Sequence, residues 1–281
     1  MPVANASESL PISSAGRRHY AHAPVLEAVI EIRVAPIDSL DIGGLAAVRA
    51  GLESEYPHVT PLVTGGISVG LADLGVDVTG AILLSAGIRI GVDASNAARE
   101  GESSERIGYK FGGGPNADFF QTTGLGLSYH KLTPYTHWEA CRARVEELWS
   151  RYRQWAKPVR IARLGLRYVN RLELPAPGEL TDYLLTAPRI APGLPQVMSS
   201  YLMQISIPQP DMPGAVLNVR QGILPAERAG VASIVVDHDL TQPLDISANS
   251  EEIWPMFERM HERQDQIFEA TITDRTRELI S

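Results

Sequence analysis

Arg160-Ile-Ala-Arg-Leu-Gly-Leu-Arg-Tyr-Val-Asn-Arg-Leu-Glu-Leu174 lies near the middle of the chain. With a period of two residues, Arg163, Arg167, Arg171 and Glu173 fall on one face, with Gly165 and Val169 between them. Leu164, Leu166, Tyr168, Leu172 and Leu174 fall on the other, with Asn170 among them. Strand side chains alternate between faces, so this spacing predicts a long β-strand with one apolar and one strongly basic side. A helical pattern directly before it makes it the start of a second half.

That preceding helix opens on Thr136-His-Trp-Glu139, which has the form of a capping box. Trp138, Cys141, Val145, Leu148, Trp149, Tyr152 and Trp155 then recur at helical spacing, and Pro158 stops the helix. The three tryptophans are a packing stripe. Further upstream, Ile107–Phe111 and Asp118–Thr122 predict a hairpin across Gly112, Gly113, Gly114 and Pro115, with another strand at Leu125–Leu132. The glycine triplet joins two strands and precedes no helix, so it is a turn and no phosphate cradle. Strands are also expected at Leu62–Leu71 and Ala81–Val92, followed by a polar loop from Asp93 to Ser104. The first strand is Val25–Val34, with Ala28, Ile30, Ile32 and Val34 on one face and Glu27, Val29, Glu31 and Arg33 on the other. A helix is expected from Leu40 to Glu55, although Gly43 and Gly44 weaken its first turn.

Downstream of the basic strand the pattern gives a short helix near Leu180–Leu185 and a proline-rich loop through Pro195. Strands follow at Met198–Ile207, Ala215–Gln221 and Val231–Asp239, then a helix from Glu252 past Phe268 with Pro255 in its first turn. Thr271 to Ile280 either continues this helix or restarts it. Strand, helix, a run of strands and a long helix are thus given twice, with the halves meeting near Pro158. His130-Lys-Leu-Thr133 and His238-Asp-Leu-Thr241 echo one another before the two long helices. The expected fold is α+β, with two similar halves forming a curved or barrel-like antiparallel sheet and the helices packed outside. Residues 1–22, rich in Ala, Ser and Pro, are expected to be a flexible tail, 23–157 the first half and 158–281 the second, packed as one unit.

With 281 residues, 44% of them hydrophobic and 21% charged, the chain can bury a sizeable core. A net charge of −8 argues against indiscriminate nucleic-acid binding, which needs a basic footprint. The single cysteine, Cys141, excludes an internal disulfide and a cysteine-built zinc site and suits a reducing cytoplasm. Neither a membrane-spanning apolar run nor a secretory signal is expected.

If the first strands of the two halves are neighbours, Glu27 and Glu31 could face Arg163, Arg167 and Arg171 across the sheet. Arg220, Asp237 and Asp239 could join them from later strands. One reading is an ion-pair network on a wet concave sheet, since such charges are retained inside only when paired. The second is a pocket or tunnel whose arginines hold a nucleotide, a phosphate or a peptide carboxylate. A partner-docking surface is the third. The pattern resembles the triphosphate-tunnel enzymes, whose early strand alternates Glu-x-Glu-x-Lys. Here those positions read Val29-Ile-Glu31-Ile-Arg33, so one glutamate of the implied metal site is missing and the lysine is an arginine.

His19, His22, His58, His130, His137, His238 and His261 form no metal pair at helical spacing and are read as structural or solvated. His238 points away from Asp237 and Asp239, and Cys141 belongs to a buried helical stripe where a thiol is inert. No nucleophile elbow, Walker loop or dinucleotide fingerprint occurs.

Ala23-Pro-Val-Leu-Glu-Ala-Val-Ile-Glu-Ile-Arg33, Arg163-Leu-Gly-Leu-Arg-Tyr-Val-Asn-Arg171 and Phe268-Glu-Ala-Thr-Ile-Thr273 together resemble a sporadically distributed bacterial family of similar length with no established function. Its patchy occurrence implies genes carried on mobile or defence-type islands, and it supplies no catalytic residues. The leading expectation is a non-catalytic, cofactor-free binding or accessory protein that uses the arginine face to recognise a protein partner or a small anion. The alternative is a metal-dependent enzyme on a phosphorylated substrate, with Glu27, Glu31, Asp237 and Asp239 as oxygen ligands. A homodimer that pairs strand edges is a third arrangement.

Overall fold

The basic segment is a strand, β6 (Arg160–Pro175), and it lies inside the sheet rather than at its edge. A computed structural model describes residues 18–63, 105–114, 117–135, 137–225 and 228–281. The other strands are β1 (Val25–Val34), β2 (His58–Val63), β3 (Arg106–Gly112), β4 (Asp118–Thr123), β5 (Gly126–Leu132), β7 (Leu202–Pro208), β8 (Val216–Leu224) and β9 (Val231–Ser247). They make one nine-stranded sheet in the order β2-β3-β4-β5-β1-β6-β9-β8-β7, with every pairing antiparallel. Outward from the central β1–β6 pair the order is the same on both sides: first strand, last strand, then back through the hairpins. The sheet is open. Among the described residues it ends on β2 and β7, so the expected barrel-like closure is not made.

Helix α1 (Trp138–Ala156) and helix α2 (Ile253–Thr271) pack on one face of this sheet. Ala28, Ile30, Ile32 and Val34 of β1 and Leu164, Leu166 and Tyr168 of β6 form one core with Trp138, Val145, Leu148 and Trp149 of α1 and Phe257 and Met260 of α2. The period-two and period-3.6 patterns thus bury the same surface from two sides. Trp155, expected in the stripe, is 48% exposed, because the last turn points Ala156 inward instead. Lys157 then takes a left-handed conformation and ends the helix.

The expected helix from Leu40 to Glu55 shortens to a 3₁₀ segment, Gly43–Arg49, that buries Leu45 and Val48. Two glycines in its first turn offer little helical preference, and Gly51 turns the chain with φ +80°. The short helix near Leu180 is a 3₁₀ turn, Leu180–Asp182. Strand β7 starts four residues later than expected, and β9 runs eight residues further, through Pro243 to Ser247. Pro243 is accommodated where the β6–β9 register shifts between Ile161 and Arg163, a bulge that spares a proline its missing donor. Thr271–Ile280 restarts as α3 (Asp274–Ile280), with the Thr273 hydroxyl accepting from the Thr276 amide.

Within the expected tail, Tyr20 packs edge-on against Phe268 and the His22 amide donates to the Ile280 carbonyl, so its last residues are tied to the C-terminal helices. Helix α1 begins after extended His137, while Thr136 of the capping box lies outside the described residues. So do the remainder of the expected strand Leu62–Leu71, the whole of Ala81–Val92 and the loop Asp93–Ser104. Among the described residues no helix is long and apolar enough to cross a membrane.

Gly126 fixes the β4–β5 turn against β1. Its φ is +138°, and a Cβ there would stand 2.1 Å from the Ile32 carbonyl oxygen. Gly126→Ala is therefore expected to destabilise the fold by about 1–3 kcal/mol. Urea denaturation reads this directly, and an unchanged midpoint would refute it.

Candidate functional site on the polar sheet face

The face turned away from the helices carries all eight candidate residues. Residue pairing sets this: Glu27, Val29, Glu31 and Arg33 of β1 stand opposite Val169, Arg167, Gly165 and Arg163 of β6. These in turn oppose Asp237, Asp239, Thr241 and Pro243 of β9, and Arg220 of β8 stands opposite Asp237. The strand parity of the basic segment therefore holds.

The eight fall into separate groups. At the centre, Arg167 donates from Nε and Nη2 to the two carboxylate oxygens of Asp237 at 2.7 and 2.9 Å, a two-pronged contact. Arg220 donates to the same carboxylate at 3.2 Å and lies 3.7 Å from Asp239. All but Asp239 of these four are buried. Burial pushes the Asp237 carboxyl up, but the two guanidinium groups outweigh it and hold it below the usual carboxylate range. Asp239 goes the other way: burial and the neighbouring Asp237 charge raise it despite Arg167 and Arg220.

Nearer one end of β6, Glu31 accepts from Arg33 Nε at 2.9 Å and from Arg163 Nη2. These two arginine side chains are 35% and 37% exposed. Towards the other end, Arg171 donates to Glu173 at 2.6 Å and to the Ser233 hydroxyl at 3.2 Å, while that hydroxyl donates to Glu173 at 2.8 Å. The expectation that Glu27 and Glu31 would both meet the β6 arginines holds only for Glu31. Arg167 takes its partner from β9, where one carboxylate can serve two guanidinium groups at once.

Glu27 turns instead to β5. Its Oε1 lies 2.8 Å from His130 Nδ1, and His130 Nε2 lies 3.0 Å from the Ser128 hydroxyl. His130 was expected to be structural or solvated; it is buried between a carboxylate and a hydroxyl. Burial raises the Glu27 carboxyl, but the hydrogen bond and charge of His130, with Arg167 nearby, bring it below its ordinary value. An ionised Glu27 accepts only, so Nδ1 carries a proton, and in that neutral tautomer Nε2 is the nitrogen that can accept from Ser128. Phe119 stacks on the His130 ring at 4.2 Å, and Lys110 stands over Phe119 at 4.3 Å. One signal in the sequence was available: Ser128 and His130 are two apart on a strand and so share a face.

The remaining chemistry lies elsewhere. His238 points to the helix face, 3.2 Å from the Thr271 hydroxyl, as its strand parity requires. His261 is buried, stacked on Trp138 at 4.4 Å. Burial pushes the Cys141 thiol up to about 11, so it is no nucleophile. A cleft of about 250 Å³ lined by Asp211, Met212, Gln242, Arg259 and Arg263 opens on the helix side, away from the candidate residues.

The metal-enzyme reading needs Glu27, Glu31, Asp237 and Asp239 to converge. Each is turned to a basic side chain, Asp237 and Asp239 sharing Arg220, and among the described residues no three His, Cys, Asp or Glu side chains are gathered as metal ligands. The arginines that a triphosphate tunnel would require are held by carboxylates, and among the described residues the sheet does not close. No protein-family model matches the chain, and neither does any curated protein.

Proposed function

We propose that the chain is a binding or accessory protein that recognises an acidic protein segment through its polar sheet face. The observation that carries this is the Arg33–Glu31–Arg163 group. Two partly exposed guanidinium groups share one carboxylate there, leaving one positive charge beside an otherwise paired surface. Arginine pairs so held need little further ordering before they accept a second carboxylate. The setting that fits is the reducing cytoplasm of a bacterium, within a defence-type or mobile-element system.

An acidic peptide titrated calorimetrically should bind, and the Arg33→Ala/Arg163→Ala double variant should weaken it about tenfold or more. Raised salt should weaken it as well. Equal affinity of wild type and double variant would reject this assignment.

The two halves are best explained as an internal duplication. The support is the matching strand order on either side of the β1–β6 pair. The His130 and His238 echoes do not contribute, because these residues point to opposite faces. A chain circularly permuted at Pro158 should fold as one unit; aggregation or two separate unfolding transitions would count against equivalent halves. A homodimer through the β7 edge is the second arrangement. Leu202, Ile205 and Ile207 are exposed on this uncharged strand, which lacks the charges that usually guard an edge. Light scattering that gives a monomer mass would dismiss it.

A further inference from the structure

We infer that Ser128, His130 and Glu27 form a nucleophilic site for carboxylic esters on the polar sheet face. Ser128 and His130 sit side by side on β5, and the hydroxyl lies 3.0 Å from the imidazole nitrogen that would take its proton. The other ring nitrogen is held 2.8 Å from Glu27 on the neighbouring strand. This is the order hydroxyl, imidazole, carboxylate that activates catalytic serines on several unrelated folds. Ser128 is partly exposed while His130 and Glu27 are buried, so the nucleophile is the reachable member.

A second feature does not belong to the triad itself. Gln121 of β4 stands directly opposite Ser128 on the same face, is only 7% exposed, and its Nε2 amide has no hydrogen-bond partner. Leaving a buried donor unpaired costs about 1–3 kcal/mol, and such groups call for a role. Beside a nucleophilic serine, an unpaired amide donor can stabilise the negative oxygen that forms on an attacked carbonyl. On the other side of Ser128, its partner across β1 is Glu31, which holds Arg33 and Arg163.

The chemistry closes without any co-reactant but water. The Ser128 oxygen bonds to the ester carbonyl carbon as its proton passes to His130 Nε2, and the carbonyl electron pair moves onto oxygen beside Gln121. The pair returns, the carbon–alkoxide bond breaks, and His130 protonates the departing alcohol. Water, deprotonated by His130, then attacks the acyl-serine; the acid leaves and Ser128 regains its proton. Glu27 is a positioning residue that fixes the tautomer and the ring. A preference for esters bearing a second, acidic group would come from Arg33 and Arg163, and that part alone rests on the proposed function.

The test is a neutral fluorophosphonate probe, which marks an activated serine without engaging the arginines. Wild type should take up one equivalent, located on Ser128 by peptide mass. Ser128→Ala should take up none while unfolding at the same temperature as wild type. His130→Gln and Glu27→Gln should slow labelling by about 10³-fold or more, with Glu27→Asp recovering part of the rate. Absence of labelling on Ser128 in folded wild type overturns the site, whatever the acidic peptide does. Labelling with no preference for acid-substituted over neutral aryl esters keeps the nucleophile and removes only the arginine contribution.

Discussion

Asp237→Asn should lower stability by about 3–5 kcal/mol, the largest single effect expected in this chain. One carboxylate is the hydrogen-bond partner of both Arg167 and Arg220, and all three are buried. Removing one partner from a buried ion group leaves the others desolvated and unpaired, which costs far more than the group ever contributed. Asparagine has nearly the same shape, so the loss would come from charge and not from a cavity. The rescue is as informative as the loss. In an Asp237→Asn/Arg167→Met/Arg220→Met variant the stranded charges are gone, and most of the stability should return. Urea denaturation of the wild type, the single and the triple variant measures both. A single variant within about 1 kcal/mol of wild type would mean that the guanidinium groups find solvent, contrary to the buried triad.

Lowering the pH from 6.5 to 4 should remove about 3 kcal/mol through His238 alone, since one unit of pKa is worth about 1.4 kcal/mol. Burial holds this imidazole down to about 4 against an ordinary 6.5, with the Asp237 charge only partly opposing. Between those values the unfolded chain binds a proton that the native chain refuses, so stability falls as the solution becomes more acid. Asp237 and Glu27 act lower still. Their carboxyls are depressed below 3.8 and 4.5, so their contribution is complete above those values and is lost only as pH drops through the depressed range. Asp239 has the opposite sign: its carboxyl is raised, the native state takes that proton first, and acid relieves it. The loss between pH 6.5 and 4 should therefore flatten markedly in His238→Gln. A wild-type profile flat across that interval would place His238 in water.

Alternation made β1 and β6 legible, because the period of a strand is written in adjacent residues and needs no partner. The same holds for the stripes of α1 and α2. The helix expected from Leu40 to Glu55 failed for a related reason: Leu45, Val48 and Leu52 keep helical spacing, but Gly43, Gly44 and Gly51 break the local preference on which the spacing depends. The strand expected over Val231–Asp239 runs on to Ser247, past Pro243. Only the register shift beside it, where β9 spends one residue more than β6, shows how the ladder accommodates a proline.

Which charges meet could not be read this way. Glu27 and His130 are 103 residues apart, and Arg167 and Asp237 are 70 apart. Local patterning placed each on a charged face, yet five carboxylates and several arginines on one face permit many pairings. Strand order and register chose among them. They set β9 beside β6, so that one aspartate lies between two arginines, and β5 beside β1, so that a glutamate meets a histidine next to a serine. The sequence by itself determined the faces, since side-chain alternation is a property of the backbone. The tertiary structure alone decided the partners, since a hydrogen bond between distant strands depends on which edges lie together and in what register.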